Sequence, residues 1–503
     1  MQKRLSTLLD NYNIISTMGK NPFDNIVYVE NIVYDSRMVG NNSLFFALKG
    51  IHTDGHNYID SAIKNGASAV VVSSMPDKID NNISYILVDD TRKAMSFISA
   101  PFFDYPAKKL KTIGVTGTDG KSTTVSFLYQ LLKILDKKAG FISTVEYDSS
   151  GIAKKNPYRQ STPEAPEIMC FLSEMVSNNF EYAVIESTSH GLSDKTSRLA
   201  AIQYNVGILT NITHEHLEFH GTMENYINDK ANLFRKANDF CVVNYDEPSK
   251  PSFLAASSVP VLSYSLKDPN ADIYASSITL TESGSRFDVH YNGKKIKAEL
   301  CMPGIFNIEN FFAAAITISK ITKVDIAEII SFSKNLTSVV GRMDVVDMGQ
   351  DFTVIVDYAH TPGSFEKVFP MIKKSVKKRL ISVFGSAGER DIEKRAVQGK
   401  IASEYSDIII ITDEDPRGED PMDVINQIES GIRKDFESSF IYKISDRQEA
   451  INKAMEIAQP DDTVILLGKG HESSIIYKDM SIKWNEREAA IKALRRIGFN
   501  KDK

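Results

Sequence analysis

Cysteine is scarce. Cys170, Cys241 and Cys301 are the only three in 503 residues, and no two form a C-x-x-C pair. No disulfide framework is implied, which fits a reducing compartment. Long apolar runs are also missing: none approaches the roughly 18 residues of a membrane span. The N-terminal stretch "MQKRLSTLLDNYNIIS" has a basic start, but Asp10 and Asn11 interrupt it, so it makes a poor signal peptide. A cytoplasmic protein without membrane insertion is expected. Basic residues are not in excess either. The 59 Lys and Arg stand against 65 Asp and Glu, a net charge of −6, whereas a dedicated nucleic-acid binder is usually basic. An anionic small molecule remains admissible, because a few lysines, arginines and backbone N–H groups can hold one. Low-complexity segments, obvious repeats and an H-E-x-x-H zinc motif are absent.

What is present is alternation. Short apolar runs such as "SAVVVS", "KTIGVTG", "EYAVIES", "NVGILTN", "FCVVNYD", "TVIVDYA", "LISVFGS", "DIIIITD" and "TVILLGKG" read as buried strands. Longer amphipathic segments separate them. This is the α/β pattern, in which ligands bind beyond the carboxyl ends of parallel strands. Residues from about 275 to 300 instead alternate polar and apolar, with turn signals at "ESGS" and "NGKK", and predict an antiparallel insertion. A chain this long exceeds one ordinary core, and about two to four domains are expected. Three blocks suggest themselves, at 1–108, 109–338 and 339–503.

The second block opens on "IGVTGTDGKSTTVSF", Ile113 to Phe127. The general phosphate loop is G-x-x-x-x-G-K-[ST], which would put its first glycine at Val115. Here the glycines stand at Gly114 and Gly117. The loop still joins a predicted strand to a predicted helix, whose N-terminus suits phosphate. Lys121 would reach the terminal phosphates and Ser122 would put its hydroxyl on Mg²⁺. Two further strands end in functional residue types: "VIESTSHG" at Glu186, and "ILTNITHEHLEFHG" at Asn211, His214, His216 and His220. In a parallel sheet both ends should lie near the loop. A carboxylate and an imidazole there could bind a second Mg²⁺; a zinc trio of His214, His216 and His220 is the rival reading. Lys230 follows on a predicted helix, where a surface lysine is the ordinary expectation.

With these residues in view the chain resembles the Mur ligase family, the ATP-dependent enzymes that build the peptide stem of bacterial peptidoglycan. "GVTGTDGKST" matches the family's G-x-T-G-T-[ND]-G-K-[ST]-[ST], with Asp119 in place of the more frequent Asn. The resemblance is to the MurE type, the UDP-N-acetylmuramoyl-L-alanyl-D-glutamate ligases that add the third residue, and it covers nearly the whole chain. It implies a uridine-binding α/β domain, a central P-loop-type, mostly parallel domain with an antiparallel insertion, and a Rossmann-like C-terminal domain. It implies ATP contacts at Gly117, Thr118, Asp119, Gly120, Lys121, Ser122 and Thr123. Asn310 in "PGIFNIENFFAAA", Arg342 in "GRM", and Asp357 and His360 in "DYAHTP" would complete that set. It implies that Ser36, Ser161, Thr162, Ser189 and Arg198 meet the muramoyl peptide. The incoming amino acid would meet Arg390, the Glu414-Asp415-Pro416-Arg417 motif, and Gly468 and Glu472 of "GKGHE". Ser122, Glu186, His216 and Lys230 would be metal ligands, Lys230 as its carbamate, and Lys121 would join the last three in catalysis.

The implied reaction adds a diamino acid (meso-diaminopimelate, lysine or ornithine) to the D-glutamate γ-carboxylate of UDP-MurNAc-L-Ala-D-Glu through an acyl phosphate, with ATP and Mg²⁺. A monomer serving cell-wall synthesis, cell shape and division is expected. Asp415 stands where diaminopimelate enzymes often have a neutral amide. The added negative charge could favour lysine or ornithine, while Arg417 would suit a carboxylate. The nearest rival is a related ligase acting on another peptide or a polyglutamate acceptor, which would not need the first block. A non-catalytic nucleotide-binding protein would be signalled by loss of Lys121, Glu186 or His216, all of which are present. A P-loop GTPase or kinase would not explain the first and third blocks.

Overall fold

The computed structural model describes residues 2–10, 12–50, 53–158, 160–213, 215–281 and 284–500. It divides into two compact units: Met1–Ile273 with Phe312–Val324, and Tyr274–Phe311 with Asp325–Lys503.

Among the described residues the first unit holds two large sheets and a two-stranded pairing of Lys3–Arg4 with Tyr28–Val29. The N-terminal sheet has five strands in the order Ser16–Gly19, Ser84–Leu87, Ala67–Val72, Ser43–Phe46, Asn31–Val33; the first pairing is antiparallel and the rest parallel. The helix Thr91–Phe102 packs Met95, Ile98 and Phe102 into one of its two cores. Asp90 starts that helix by accepting from the backbone N–H groups of Arg92 and Lys93, a cap of about 1 kcal/mol.

The second sheet of this unit carries the phosphate loop. Its elements are β1 (Lys111–Thr116), α1 (Lys121–Ile134), β2 (Ala139–Ile142), β3 (Tyr182–Glu186), β4 (Tyr204–Leu209), α2 (Met223–Arg235), β5 (Ala237–Asn244) and β6 (Val261–Ser265). These six strands run in the order β2-β3-β1-β4-β5-β6, all parallel, with Glu146–Asp148 antiparallel beside β2 and Lys154–Lys155 antiparallel beside that. The two strands ending at Glu186 and just before Asn211 therefore flank β1 on either side. All five residues of β3 are buried. Burying a Val or Ile side chain contributes about 1.5–3 kcal/mol, which explains why these strands read as continuous apolar runs.

In the second unit Ser285–Tyr291 and Lys294–Leu300 form an antiparallel hairpin closed by Asn292 and Gly293, both at positive φ, as the "NGKK" signal implies. The "ESGS" signal falls on Glu282 and Ser283, outside the described residues. The third sheet contains β7 (Thr353–Asp357), β8 (Leu380–Phe384), β9 (Ile408–Ile411) and β10 (Thr463–Leu467). They pair in parallel in the order β7-β10-β8-β9. Asp344–Val345 lies antiparallel on one edge and Ile441–Lys443 parallel on the other. The architecture is that of three α/β sheets, with an antiparallel hairpin between the second and third in sequence.

Candidate active site

The displaced glycines have a packing cause. Gly114 lies in β1, where a Cβ would sit 2.5 Å from Leu233 Cδ1 and 2.7 Å from the Tyr204 ring. Gly117 turns the chain at φ +147°, and a Cβ there would fall 1.9 Å from Thr210 Oγ1. Both contacts come from elements about a hundred residues downstream.

Those elements also fix the loop. The Thr118 backbone N–H donates to Asn211 O at 2.7 Å. The Asp119 N–H donates to Asn211 Oδ1, and Asn211 Nδ2 donates back to Asp119 O. Thr210 adds a bond to the same carbonyl. The Asp119 side chain is exposed. Lys121 begins α1 and donates its Nζ to Thr118 O at 2.7 Å.

Glu186, at the end of β3, is buried and accepts three bonds. Ser122 Oγ donates to Oε2 at 2.9 Å, the Thr144 N–H to Oε2 at 3.0 Å, and the Thr144 hydroxyl to Oε1 at 2.9 Å. Lys230, on α2, is fully buried and donates to Gly117 O at 2.6 Å, with its Nζ 4.6 Å from the centre of the Tyr226 ring. Burial first, and then the nearby Lys121 charge, push its ammonium well below the usual lysine range. The surface-lysine expectation thus fails, because α2 turns Lys230 onto the loop.

His216 takes a left-handed conformation at φ +56° and sets its ring edge-on to His190, 4.9 Å between centroids. His220 is engaged at both ring nitrogens: Nδ1 with Asp229 at 2.7 Å and Nε2 with Ser189 Oγ at 3.1 Å. It has no nitrogen to offer zinc. His214 lies outside the described residues.

The expected muramoyl-peptide contacts in the central block cluster beside Glu186. Thr162 Oγ1 donates to Glu186 O at 3.0 Å and shares a bond with Thr188. Arg198 braces the "STPE" segment, donating to Glu164 Oε1 and Thr162 O. Ser161, next to Thr162, is half-buried. In the N-terminal block Ser36 accepts from Asn65 through its backbone carbonyl, and Tyr34 donates to Glu167 Oε1 at 2.7 Å.

In the second unit the remaining residues other than Asn310 gather at the carboxyl ends of β7, β8, β9 and β10. Asp357 closes β7 and accepts from the N–H groups of Met343 and Ala359. The Arg342 guanidinium stacks on Tyr358, 4.7 Å from the ring centre. Burial holds His360 below the usual imidazole range. Asn310 is buried on the helix Phe306–Thr322, facing Asn307. The loop after β8, which carries exposed Arg390, is tied to the "EDPR" loop by Gly388 N–H donating to Asp415 O at 2.8 Å. Burial pushes the Glu414 carboxyl up to about 7. Arg417, at φ +55°, donates its N–H to Ile476 O.

Asp415 is not a bare added charge. Its Oδ1 accepts from the buried Lys469 Nζ at 2.8 Å and from Ile476 N–H at 2.9 Å. Lys469 also pairs with Glu472, which accepts a hydrogen bond from the Tyr358 hydroxyl. Because Lys469 already pairs with Asp415, the charge argument for lysine or ornithine loses its force. Thr144, Thr210, Tyr226 and Lys469 escaped sequence reasoning. Each is a single polar residue without a motif of its own, except Lys469, which lies within "GKGHE".

Family models match three consecutive segments: "Mur ligase family, catalytic domain" at residues 28–102, "Mur ligase middle domain" at 115–318, and "Mur ligase, glutamate ligase domain" at 341–470. A UDP-N-acetylmuramyl-tripeptide synthetase of Borreliella burgdorferi is 49% identical over 472 residues, covering 93% of each chain. The UDP-N-acetylmuramoyl-L-alanyl-D-glutamate–2,6-diaminopimelate ligase of Clostridium tetani is 37% identical, covering 92% of this chain and 93% of its own. A solved structure of a ligase of the latter type superposes with a TM-score of 0.67 at 26% identity, over 93% of this chain and 95% of that one.

Proposed function

The chain belongs to the Mur ligase family, and from that premise we infer that it is an ATP-dependent peptidoglycan ligase of the tripeptide-synthetase type. It joins a diamino acid to the D-glutamate γ-carboxylate of UDP-MurNAc-L-Ala-D-Glu. The observation that carries the reading is the Ser122–Glu186 contact at 2.9 Å beside a phosphate loop of the family's own spacing. A cytoplasmic, monomeric enzyme serving cell shape and division belongs to the same proposal. Among the described residues no helix is long and apolar enough to cross a membrane.

A γ-carboxylate oxygen attacks the γ-phosphorus of ATP, the bond to the β–γ bridging oxygen breaks, and ADP leaves. The amine of the diamino acid then attacks the acyl carbon, the C–O bond to phosphate breaks, and the amine gives up a proton. No protein nucleophile is required. Two anions must meet in the first step, so charge neutralisation is the main demand. The N–H groups of Gly117 and of Gly120 to Thr123 and the Lys121 ammonium would hold the phosphates, with Lys121 leaving Thr118 O to do so and the Thr118 and Asp119 N–H groups staying on Asn211.

The hydroxyl of Ser122 and the carboxylate of Glu186 are hard oxygen donors that fit Mg²⁺, and His216 and carbamylated Lys230 would hold a second ion. Bound there, Mg²⁺ would neutralise charge on the phosphate oxygens. A carbamate forms only from an uncharged amine, and burial favours that form of Lys230. Asn310, Arg342, Asp357 and His360 would serve the nucleotide. Ser36, Ser161, Thr162, Ser189 and Arg198 would hold the muramoyl peptide. Arg390, Glu414 to Arg417, Gly468 and Glu472 would hold the amino acid, with Lys469 orienting Asp415 and Glu472.

Phosphate release should require the muramoyl dipeptide together with one of meso-diaminopimelate, lysine or ornithine. Turnover with a polyglutamate acceptor and none with the muramoyl dipeptide would favour the rival ligase.

A further inference from the structure

Ser189, His220 and Asp229 form a chain of hydrogen bonds of which the proposed ligation uses only Ser189, as a substrate contact. Ser189 Oγ lies 3.1 Å from His220 Nε2, and His220 Nδ1 lies 2.7 Å from Asp229 Oδ2. Ser189 and His220 are almost fully buried. The imidazole is fixed in place by edge-on contact with Tyr226, centroids 5.0 Å apart, and by Asn225 Nδ2 donating to the His220 carbonyl. Asp229, Tyr226 and Lys230 all sit on α2. Tyr226 shares a bond with Thr118 Oγ1, and Lys230 reaches Gly117 O. One helix thus props both the phosphate loop and Ser189.

A carboxylate can only accept, so Asp229 takes the N–H from His220 Nδ1. In the neutral ring, the form that burial favours for His220, Nε2 is then the acceptor for the Ser189 O–H. The Ser189 proton is committed inside the protein, and only oxygen lone pairs remain for a ligand. The same sequence of groups activates serine in hydrolases, but ATP is the activating group in this ligation. We propose that His220 and Asp229 are positioning residues that make Ser189 a hydrogen-bond acceptor for a peptide N–H of the muramoyl dipeptide, not a donor to its carboxylates. The N–H of the D-glutamate, the residue that carries the reacting γ-carboxylate, is the one assigned. This rests on the reading that Ser189 meets that substrate.

The test is steady-state kinetics on the full chain with Ser189→Ala, His220→Gln, Asp229→Asn and the two double variants carrying Ser189→Ala. Each single variant should raise KM for the muramoyl dipeptide by roughly three- to tenfold and leave KM for ATP unchanged. In the Ser189→Ala background the other two changes should add almost nothing. An analogue with an ester in place of the Ala–Glu amide should lose a similar factor on the native enzyme and little on Ser189→Ala. Additive effects, or an equal ester penalty on both enzymes, overturn the positioning role while leaving the ligase reading intact. An unchanged KM in Ser189→Ala, with normal tripeptide formation, overturns the assignment of Ser189 to the acceptor and the proposal with it. Labelling of Ser189 by a fluorophosphonate would overturn it in favour of a nucleophilic serine.

Discussion

Replacing Lys230 with Met is expected to lower kcat for ligation by roughly a thousandfold, about 4 kcal/mol of transition-state stabilisation. Met keeps the length and apolar body of the side chain, so the packing on Tyr226 survives. It leaves the Gly117 carbonyl without its 2.6 Å donor, at about 1 kcal/mol of stability. The variant should therefore fold and bind ADP, as calorimetry can check, yet release almost no phosphate with the dipeptide and a diamino acid. Added bicarbonate should not rescue it, because the amine that would carry the carbamate is gone. A loss of less than about tenfold in kcat, roughly 1.4 kcal/mol, would remove Lys230 from the catalytic set.

Glu186→Gln should raise the Mg²⁺ concentration for half-maximal activity by at least roughly tenfold and lower kcat by about a hundredfold. Gln matches the shape of Glu in a pocket that is nearly closed to solvent. The Thr144 hydroxyl can rotate to accept where it now donates, so the change removes charge more than structure. The structural cost is small, and the measured effect reports on the ion and the phosphates. Activity plotted against Mg²⁺ for the two proteins is the measurement. An unchanged midpoint would mean that Glu186 only anchors Ser122 and Thr144.

The strands were legible because both faces of these sheets are covered, and a strand buried on both sides must be apolar throughout. β3 and β9 are instances. Two-residue edge pairings such as Asp344–Val345 are not legible, since two residues carry no period. The loop could be recognised from its glycine spacing, but the reason for that spacing could not. Gly114 is shaped by Leu233 and Tyr204, and Gly117 by Thr210, which no local pattern connects to them.

The same limit applied to charge. Asp415 read as an extra anion because its partner, Lys469, lies 54 positions away. Helix position alone makes Lys230 a surface lysine; the family resemblance singles it out, and the fold turns α2 to set it against Gly117. His220 enters the sequence reading only through the rival zinc trio, while the resemblance singles out His216; its contacts with Ser189 and Asp229 give it a different role.

The most direct test of the account follows the oxygen atoms. UDP-MurNAc-L-Ala-D-Glu labelled with ¹⁸O in both γ-carboxylate oxygens is turned over with ATP and the accepted diamino acid, and the released phosphate is weighed by mass spectrometry. An acyl phosphate requires that one ¹⁸O leave in the phosphate and one remain in the new amide, with ADP as the other product. Unlabelled phosphate, or AMP in place of ADP, would contradict it.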